Sequence, residues 1–391
     1  MKGDELCVLE VKELTRTRTT INRFIRFAWN IYKDDPNFVP PLVSDMRKSL
    51  MGIHNALFDN GEQAFLMAYE GGRPVARLLV GTNEQLNAAR GFQQGYLSLF
   101  ECVNDQKTAN AILDHACDWL RARGIHKIVG PENYTYDDFG KGLLCQGFDG
   151  PPVLFNPYNP EYYISLFENY GFVKQYDHLA FYIKVGDFDP GRYGAISAWA
   201  QKKFGFTVER VDLDHHFERE VQDIAYVLST AMPDLLDQLA PPTVEDVRAE
   251  GKMLRDMADQ ELIYLARVGQ RAIGFLLAMP DYNPIIARMN GRMISPALLQ
   301  FLKERRRARG KKAGGKVLEG LRVLVLFVIP EYQNKAVTGA MLLQLYLAAK
   351  RKGYRWGEVS TIDERNIQSL NSVEKSGAQL YRTYRTYEKQ F

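Results

Sequence analysis

The chain has 391 residues, a length that favours two domains over one. Its hydrophobic share of 46%, charged share of 25% and net charge of +3 exclude a disordered chain and do not favour a nucleic-acid partner. Four scattered cysteines and six histidines show neither a paired-cysteine motif nor metal-ligand spacing, so no disulfide framework and no metal site are expected.

The start of the chain lacks the hydrophobic core of a signal peptide, and no segment approaches the length that would span a membrane. We therefore expect a cytoplasmic protein that makes no membrane contact and keeps its cysteines as free thiols. The sequence leaves open whether the protein forms a homo-oligomer.

The first elements of the chain can be predicted from hydrophobic periodicity and from turn residues. A strand is expected over residues 7–14, an amphipathic helix near 20–31 and a second helix across 42–51. A hairpin follows, with strands at 64–69 and 75–82 around a turn that contains two glycines.

The hairpin and the elements that follow it recur in the second half of the chain, in the same order. The matched segments are residues 67–76 with 265–274, 95–103 with 321–329, 125–130 with 356–361, and 166–172 with 372–378. This repeat predicts two similar mixed α+β domains in tandem, residues 1–190 and 191–391, with a link near residues 187–191.

The stretch 321–353 predicts a strand, a turn and a helix. Residues 321–329 are almost all apolar and stop at Pro330, as expected of a strand that is buried on both faces. After a polar turn, Thr338 can cap a helix that ends in three basic residues before Gly353. The free N–H groups at the start of such a helix form an anion site, typically for phosphate.

The wording of this turn, Val-Ile-Pro-Glu-Tyr-Gln-Asn-Lys-Ala-Val-Thr-Gly-Ala-Met-Leu, resembles the acetyl-CoA signature of the GNAT superfamily, the Gcn-type acyl-CoA N-acyltransferases. The resemblance implies that the loop N–H groups hold the CoA pyrophosphate and that the preceding strand binds the pantetheine. It therefore implies acetyl-CoA or another acyl-CoA as the co-substrate, and no metal. The residues that it places against the cofactor are Phe327, Val328, Gln333, Asn334, Lys335, Ala336, Val337, Thr338, Gly339 and Asn366.

The sequence departs from the GNAT pattern at two kinds of position. Ala336 and Thr338 stand where the family has glycines, which permit close backbone approach to a ligand. We expect glycine at both positions to tighten CoA binding. The tyrosine that often protonates the leaving thiolate is also missing, since Val373 and Phe167 occupy its places in the two halves.

Two other residues are candidates for the chemistry of acyl transfer. Glu358 alternates with Val359 on a predicted strand, and its carboxylate could act as a general base through water. The alternative is an exposed strand residue without a role. Tyr384, in a terminal strand that alternates aromatic and basic residues, is a second candidate as the missing proton donor.

The first half has a different loop at the position of the CoA turn. Residues 104–109 contain no glycine, and Asp105 adds a negative charge where a pyrophosphate would lie. We therefore expect the domain 1–190 to be GNAT-like without a cofactor and the domain 191–391 to carry the CoA-type loop. The polar residues 130–163 are either a functional loop or an Ω-loop packed by its own aromatic residues.

A basic run occupies residues 303–316 of the second half, where eight of fourteen residues are Lys or Arg. It could bind RNA or the 3′-phosphate of CoA, or it could be a solvated helix end that passes into a mobile loop.

These features leave three functions open. The first is an acyl-CoA-dependent N-acetyltransferase-like protein that acts on a small-molecule acceptor, an amine or an amino-acid-like compound. The second is a catalytically silent GNAT-like protein that binds a ligand or a partner. The third is a Fem-like transferase that uses aminoacyl-tRNA, for which the basic run is the support.

Overall fold

The structure is a computed structural model that describes residues 8–52, 60–132, 140–231, 242–309 and 318–391. Predictions that concern Cys7, His54, residues 133–139 of the polar loop and residues 310–316 of the basic run lie outside these residues. The chain divides into two compact units. The first contains Met1–His178, Ile286–Ser295 and Arg382–Phe391, and the second contains Leu179–Ile285 and Pro296–Tyr381.

The first unit consists of a sheet and helices. Its elements are β1 (Leu9–Leu14), α1 (Arg18–Arg26), α2 (Ala28–Ile31), α3 (Val43–Leu50), β2 (Gln63–Glu70), β3 (Arg73–Thr82), α4 (Glu84–Arg90), β4 (Gly95–Cys102), α5 (Gln106–Arg121), β5 (Lys127–Gly130), β6 (Leu143–Gln146), α6 (Tyr162–Tyr170) and the start of β7 (Val173–Lys184). Strands β1 to β5 lie side by side in chain order.

The second unit has a comparable order of elements. They are α7 (Pro190–Phe204), β8 (Thr207–Arg210), α8 (Phe217–Ala231), α9 (Val244–Met257), β9 (Ile263–Val268), β10 (Arg271–Pro280), the start of α10 (Asn283–Met289), α11 (Pro296–Arg309), β11 (Gly320–Val328), α12 (Val337–Lys352), β12 (Trp356–Asp363), α13 (Ile367–Glu374) and the start of β13 (Gln379–Gln390). Strands β8 to β12 again follow the chain order.

The repeat found in the sequence is visible in these elements. The hairpin β2–β3 corresponds to β9–β10, and each is followed by a matching strand, helix, strand, helix and long strand once α4 and β6 of the first half and α10 and α11 of the second are set aside. The long strands β7 and β13 each have 12 residues, and buried and exposed positions follow one another identically along both. The predicted mixed α+β fold is therefore confirmed.

Two strands contribute residues to both compact units. Strand β7 passes into the second unit after His178, and β13 passes into the first unit after Tyr381. Within the first unit, Tyr387 to Gln390 of β13 pair antiparallel with Gly130 to Lys127 of β5. The predicted boundary near residue 190 separates the two copies of the sequence repeat. The compact units divide the chain by packing instead, so they do not test this boundary, and it stays a prediction.

Each sheet is stabilised by a helix with a continuous apolar face. In α5, Ala109, Ile112, Ala116 and Leu120 recur at helical spacing and are fully buried. In the second unit, every residue of β10 after Arg271 is buried, as expected of a strand that is covered on both faces. Helix α12 packs on β9 and β10 and also on α7.

Candidate functional site

Strands β11 and β12 separate part-way along their length. Their parallel ladder pairs Gly320 with Trp356 and ends at Val323 with Val359, although β11 continues to Val328. Leu324 is an extra residue opposite β10, so the strand carries a bulge where the ladder ends. Residues 324–327 are apolar but only half-buried, as expected at the mouth of a cleft.

The end of β11 presents a backbone N–H group to this opening. The N–H of Ile329 donates to the carbonyl of Ile273, on the side of β10, at 3.0 Å. Because successive N–H groups of a strand face opposite sides, the N–H of Val328 faces the side from which β12 has separated. A ligand with amide groups can bind there as a short additional strand.

The turn after β11 leads to a helix that lacks a capping side chain. Asn334 and Ala336 both have a φ of 61°, a left-handed conformation in which glycine is the usual residue. Helix α12 begins at Val337, and its N-cap is Ala336, which makes no side-chain hydrogen bond. The predicted cap at Thr338 is therefore wrong, because the helix starts two residues earlier than that cap would place it. The N–H groups of Val337, Thr338 and Gly339 belong to the first turn, which leaves them available for an anion.

Side chains of the turn support this arrangement. The amide nitrogen of Gln333 donates to the carbonyl of Val328 at 3.2 Å, which ties the turn to the strand end. The Lys335 ammonium lies 4.5 Å from the centre of the Tyr332 ring and contributes positive charge beside the helix start. A Cβ atom at Gly339 would come within 3.3 Å of the Tyr193 ring, so a glycine fits best at this position.

Asn366, the remaining predicted cofactor residue, has a structural role as well. It is the N-cap of α13, and its side-chain oxygen accepts a hydrogen bond from the N–H of Ser369 at 3.1 Å. All ten predicted cofactor residues lie in the second unit, on the end of β11, the turn, the start of α12 and the start of α13.

Glu358 lies at the centre of a buried polar cluster in the same unit. Its side chain is fully buried, and its carboxylate lies 3.5 Å from the guanidinium of Arg322, its partner in the β11–β12 ladder. The hydroxyl groups of Ser360 and Tyr381 both donate to it. Glu358 is therefore not the exposed strand residue of the alternative prediction.

Tyr381 was not among the residues selected from the sequence. The available signal was the alternation of aromatic and basic residues from Tyr381 to Lys389, which indicated a strand without saying which tyrosine meets a carboxylate. Tyr384, the predicted candidate, is fully buried in the first unit and lies opposite Leu144 of β6. The structure thus places Tyr384 and Glu358 in different compact units, and the role of Tyr384 stays a prediction.

The corresponding strand end in the first unit is closed by two tyrosines. The N–H of Cys102, at the position equivalent to Val328, donates to the Tyr163 hydroxyl at 2.8 Å. The Tyr162 hydroxyl donates to the carbonyl of Cys102 at 2.7 Å. Tyr163 also donates to the buried carboxylate of Glu101 at 2.8 Å. The backbone groups that would hold an extended ligand are therefore already occupied.

The helix that follows this strand is also blocked. Asp105 is the N-cap of α5, and its carboxylate accepts hydrogen bonds from the N–H of Thr108 at 2.7 Å and from the Thr108 hydroxyl at 2.6 Å. The Thr108 hydrogen bonds lower the pKa of Asp105. A carboxylate thus stands where a phosphate would bind, as the sequence analysis expected from Asp105.

The start of the basic run is helical, since α11 extends to Arg309. Lys303 and Arg306 are exposed on it, which fits a solvated helix end without excluding an anionic ligand. Within the described ranges, no group of His, Cys, Asp or Glu side chains could hold a metal ion. No helix in that part of the chain combines the length and apolarity that crossing a membrane requires.

Two curated proteins align with almost the whole chain. It is 28% identical over 397 residues to the bacterial ceramide synthase of Caulobacter vibrioides, covering 98% of this chain and 97% of that protein. It is 26% identical over 392 residues to Protein YghO of Escherichia coli, with the same coverage. No protein-family model matches the chain.

Solved structures show the same architecture. A tandem GNAT protein from the clavulanic acid biosynthesis pathway superposes with a TM-score of 0.56 at 11% identity, covering 98% of both chains. A GCN5-related N-acetyltransferase from Sphaerobacter thermophilus superposes with a TM-score of 0.52 at 11% identity, covering 98% of this chain and 95% of that one. At such identities the likeness concerns the fold, and it confirms the resemblance found in the sequence. The chain is a tandem GNAT-fold protein.

Proposed function

We propose that the protein is an acyl-CoA-dependent N-acyltransferase whose CoA site lies in the second half. One observation carries this proposal: the N–H of Val328 faces the opening between β11 and β12, and the helix after it is uncapped. The equivalent groups of the first half are occupied by Tyr162, Tyr163 and Asp105. The pyrophosphate would bind the first turn of α12, and the pantetheine amides would bind the end of β11.

The polar cluster around Glu358 supplies a path for the proton that an amine must lose. The acceptor nitrogen attacks the thioester carbonyl carbon, a C–N bond forms, and the C–S bond breaks to release CoA. The proton passes from the amine to the Tyr381 hydroxyl as the hydroxyl proton moves to the Glu358 carboxylate. The departing thiolate then takes up that proton. The N–H of Val328 is placed to donate a hydrogen bond to the developing oxyanion.

The acceptor is an amine, and the curated relatives bear on its nature. A ceramide is the amide of a fatty acid with a long-chain amino alcohol, so the name of the Caulobacter relative supports amide formation on a primary amine. A small amine or an amino-acid-like compound remains the sequence-based expectation for this chain. The donor is acetyl-CoA or another acyl-CoA.

Binding of CoA and turnover of an amine together distinguish this function from the alternatives. A silent GNAT-like protein would bind CoA without turnover of any amine. A Fem-like transferase would bind tRNA in a strongly salt-dependent manner through the basic run and would not need CoA. Isothermal titration with CoA and acetyl-CoA separates the last case from the other two.

A pair of variants tests the assigned loop directly. Ala336→Asp and Ala336→Asn have nearly the same shape, and both residues tolerate the left-handed conformation of position 336. Only Asp places a negative charge at the proposed phosphate site, so we expect it to weaken CoA binding about tenfold relative to Asn. The control Asp105→Asn, at the equivalent helix of the first half, should leave CoA affinity unchanged.

Equal CoA affinities for Ala336→Asp and Ala336→Asn would contradict the location of the site. A gain of affinity in Asp105→Asn would show that the first half binds the cofactor instead.

A further inference from the structure

An apolar pocket lies in the second unit between the sheet and two helices. The free space in and in front of it amounts to about 620 Å³, a volume that includes open solvent at its mouth. Its walls include Leu326 of β11, Val359 of β12, Leu342 and Tyr346 of α12, Val373 of α13, and Phe188. Phe188 and Tyr346 stack with ring centres 4.7 Å apart and form one rigid wall.

The lining offers almost nothing to a polar ligand. Of the lining residues, Lys184, Tyr346, Glu358 and Ser376 are the ones with polar side-chain groups. The Glu358 carboxylate is engaged by Tyr381 and Arg322, and Lys184 is exposed, so its ammonium can reach solvent. Water is a poor occupant of such a space because it needs several polar partners. The chemistry of the pocket therefore fits a hydrocarbon chain.

The pocket begins where the CoA-binding strands separate. Val323 and Val359, the last paired residues of the β11–β12 ladder, both line it. The extra residue Leu324 shifts the alternation of β11, so that Leu326 joins Leu321 and Val323 on the pocket side. The bulge thus connects the opening between the strands with the apolar space beside α12.

We propose that this pocket holds the acyl chain of the donor, a medium-chain or long-chain acyl-CoA. The inference rests on the proposed function, because a thioester between the separated strands lies at the mouth of the pocket. An acetyl group would leave the pocket unfilled, whereas a longer chain would bury its methylene groups against the aliphatic walls. Each methylene buried there raises affinity by roughly fourfold.

Titration of the unmodified protein with CoA, acetyl-CoA and octanoyl-CoA gives the first test. We expect acetyl-CoA to bind about as well as CoA, and octanoyl-CoA to bind at least about tenfold more tightly, since two well-buried methylenes suffice for that gain. Equal affinities for acetyl-CoA and octanoyl-CoA would overturn the assignment. This comparison needs no variant and therefore does not depend on how a substitution folds.

Two substitutions on α12 form a matched pair for the second test. Leu342 lines the pocket and is half-buried, whereas Leu347 lies outside it with 43% of its surface exposed. Leu342→Trp should fill the pocket and remove the advantage of octanoyl-CoA while leaving acetyl-CoA affinity unchanged. Leu347→Trp, the same change on the same helix, should alter neither affinity.

The remaining outcomes separate the two proposals. If Leu342→Trp lowers the affinities for acetyl-CoA and octanoyl-CoA equally, the pocket holds the pantetheine rather than the acyl chain. The inference then fails while the proposed function stands. If the variant lowers the affinity for a long-chain primary amine but not for octanoyl-CoA, the pocket holds the hydrocarbon chain of the acceptor. That result also overturns the assignment. If CoA and both thioesters fail to bind the unmodified protein, the proposed function itself fails.

Discussion

Glu358 shows how one buried residue can combine structural and chemical roles. A carboxylate that is fully removed from water is costly unless a charge and hydrogen bonds compensate it. Arg322 supplies the charge from the adjacent strand, and Ser360 and Tyr381 supply the hydrogen bonds. Tyr381 is half-buried, so its hydroxyl is the member of the cluster that a ligand in the opening can reach.

Substitutions at Tyr381 and Glu358 should therefore behave differently. Tyr381→Phe removes the hydroxyl that relays the proton, so we expect turnover of an acyl-CoA and amine pair to fall about 100-fold with little change in acyl-CoA affinity. Glu358→Ala removes the carboxylate that compensates the buried charge of Arg322 and should lower the free energy of unfolding by about 3–5 kcal/mol. Steady-state kinetics, titration and urea denaturation give the three quantities.

Tyr384→Phe is the control for this assignment, because Tyr384 was the tyrosine selected from the sequence. Turnover that falls in Tyr384→Phe and not in Tyr381→Phe would show that the proton path lies elsewhere.

Individual residues differ in how far the sequence could predict them. The turn residues and Glu358 were found because a motif or a strand alternation fixes their positions. Tyr381 was missed because its role depends on contact between two strands that are distant in sequence. The start of α12 was misplaced because Ala336 adopts a left-handed conformation, which propensity alone does not predict for alanine.

At the level of elements, the two halves share one strand–turn–helix unit, and the side chains around it give it a different role in each half. In the second half, the bulged strand β11 and the uncapped α12 leave backbone groups available. In the first half, β4 and α5 have the same order, but Tyr163, Glu101 and Asp105 satisfy those groups from within the chain. The same backbone therefore serves as a ligand site in one half and as closed structure in the other.

The closed strand end should also make the stability of the protein depend on pH. Burial raises the pKa of Glu101 above the ordinary value of 4.5, an effect that Arg77 and Tyr163 only partly offset. A carboxyl group whose pKa is higher in the folded protein binds a proton on folding. Its contribution to stability is fully present below pH 4.5 and is lost as pH rises through the folded pKa.

Glu101→Gln removes this titration. We expect the stability of the variant relative to the unmodified protein to increase as pH rises above 4.5. Urea denaturation of both proteins between about pH 4 and pH 8 measures the difference. A constant difference between Glu101→Gln and the unmodified protein across this pH range would show that this carboxyl does not titrate as proposed.

The order of elements could be predicted because hydrophobic periodicity and turn residues are local signals. The first hairpin, α12 and the terminal strand β13 were anticipated, with boundaries that differ by one or two residues. The long strand β7 of the first repeat was not predicted. The opening between β11 and β12 was anticipated only through the resemblance, since no local pattern shows where a ladder stops. The apolar pocket was not predicted, because it is formed by segments that are far apart in sequence.

At the scale of the whole molecule, the C-terminal segment of the chain belongs to the same compact unit as the N-terminal part. Arg382–Phe391 lies in the first unit, where Tyr387 is 1% exposed and its hydroxyl donates to Glu168 at 3.1 Å. Arg385 forms an ion pair with Asp177 at 2.8 Å in the same unit. The sequence repeat could not reveal this, because repeat copies are defined by alignment and compact units by packing.

Loss of the terminal segment should therefore weaken the first unit more than the second. Deleting Arg382–Phe391 removes the strand that pairs with β5 and β6, so backbone amides of both should lose hydrogen-exchange protection while those of β10 keep it. Tyr387→Ala should act in the same direction, lowering stability by about 3–5 kcal/mol because it empties a site in the core of that unit. Gln390→Ala, an exposed position on the same strand, is the control and should change stability by less than about 0.5 kcal/mol. Equal loss of protection in β5 and β10 after the deletion would instead show that the chain unfolds as one cooperative body, in which the terminal strand has no preference for the first unit.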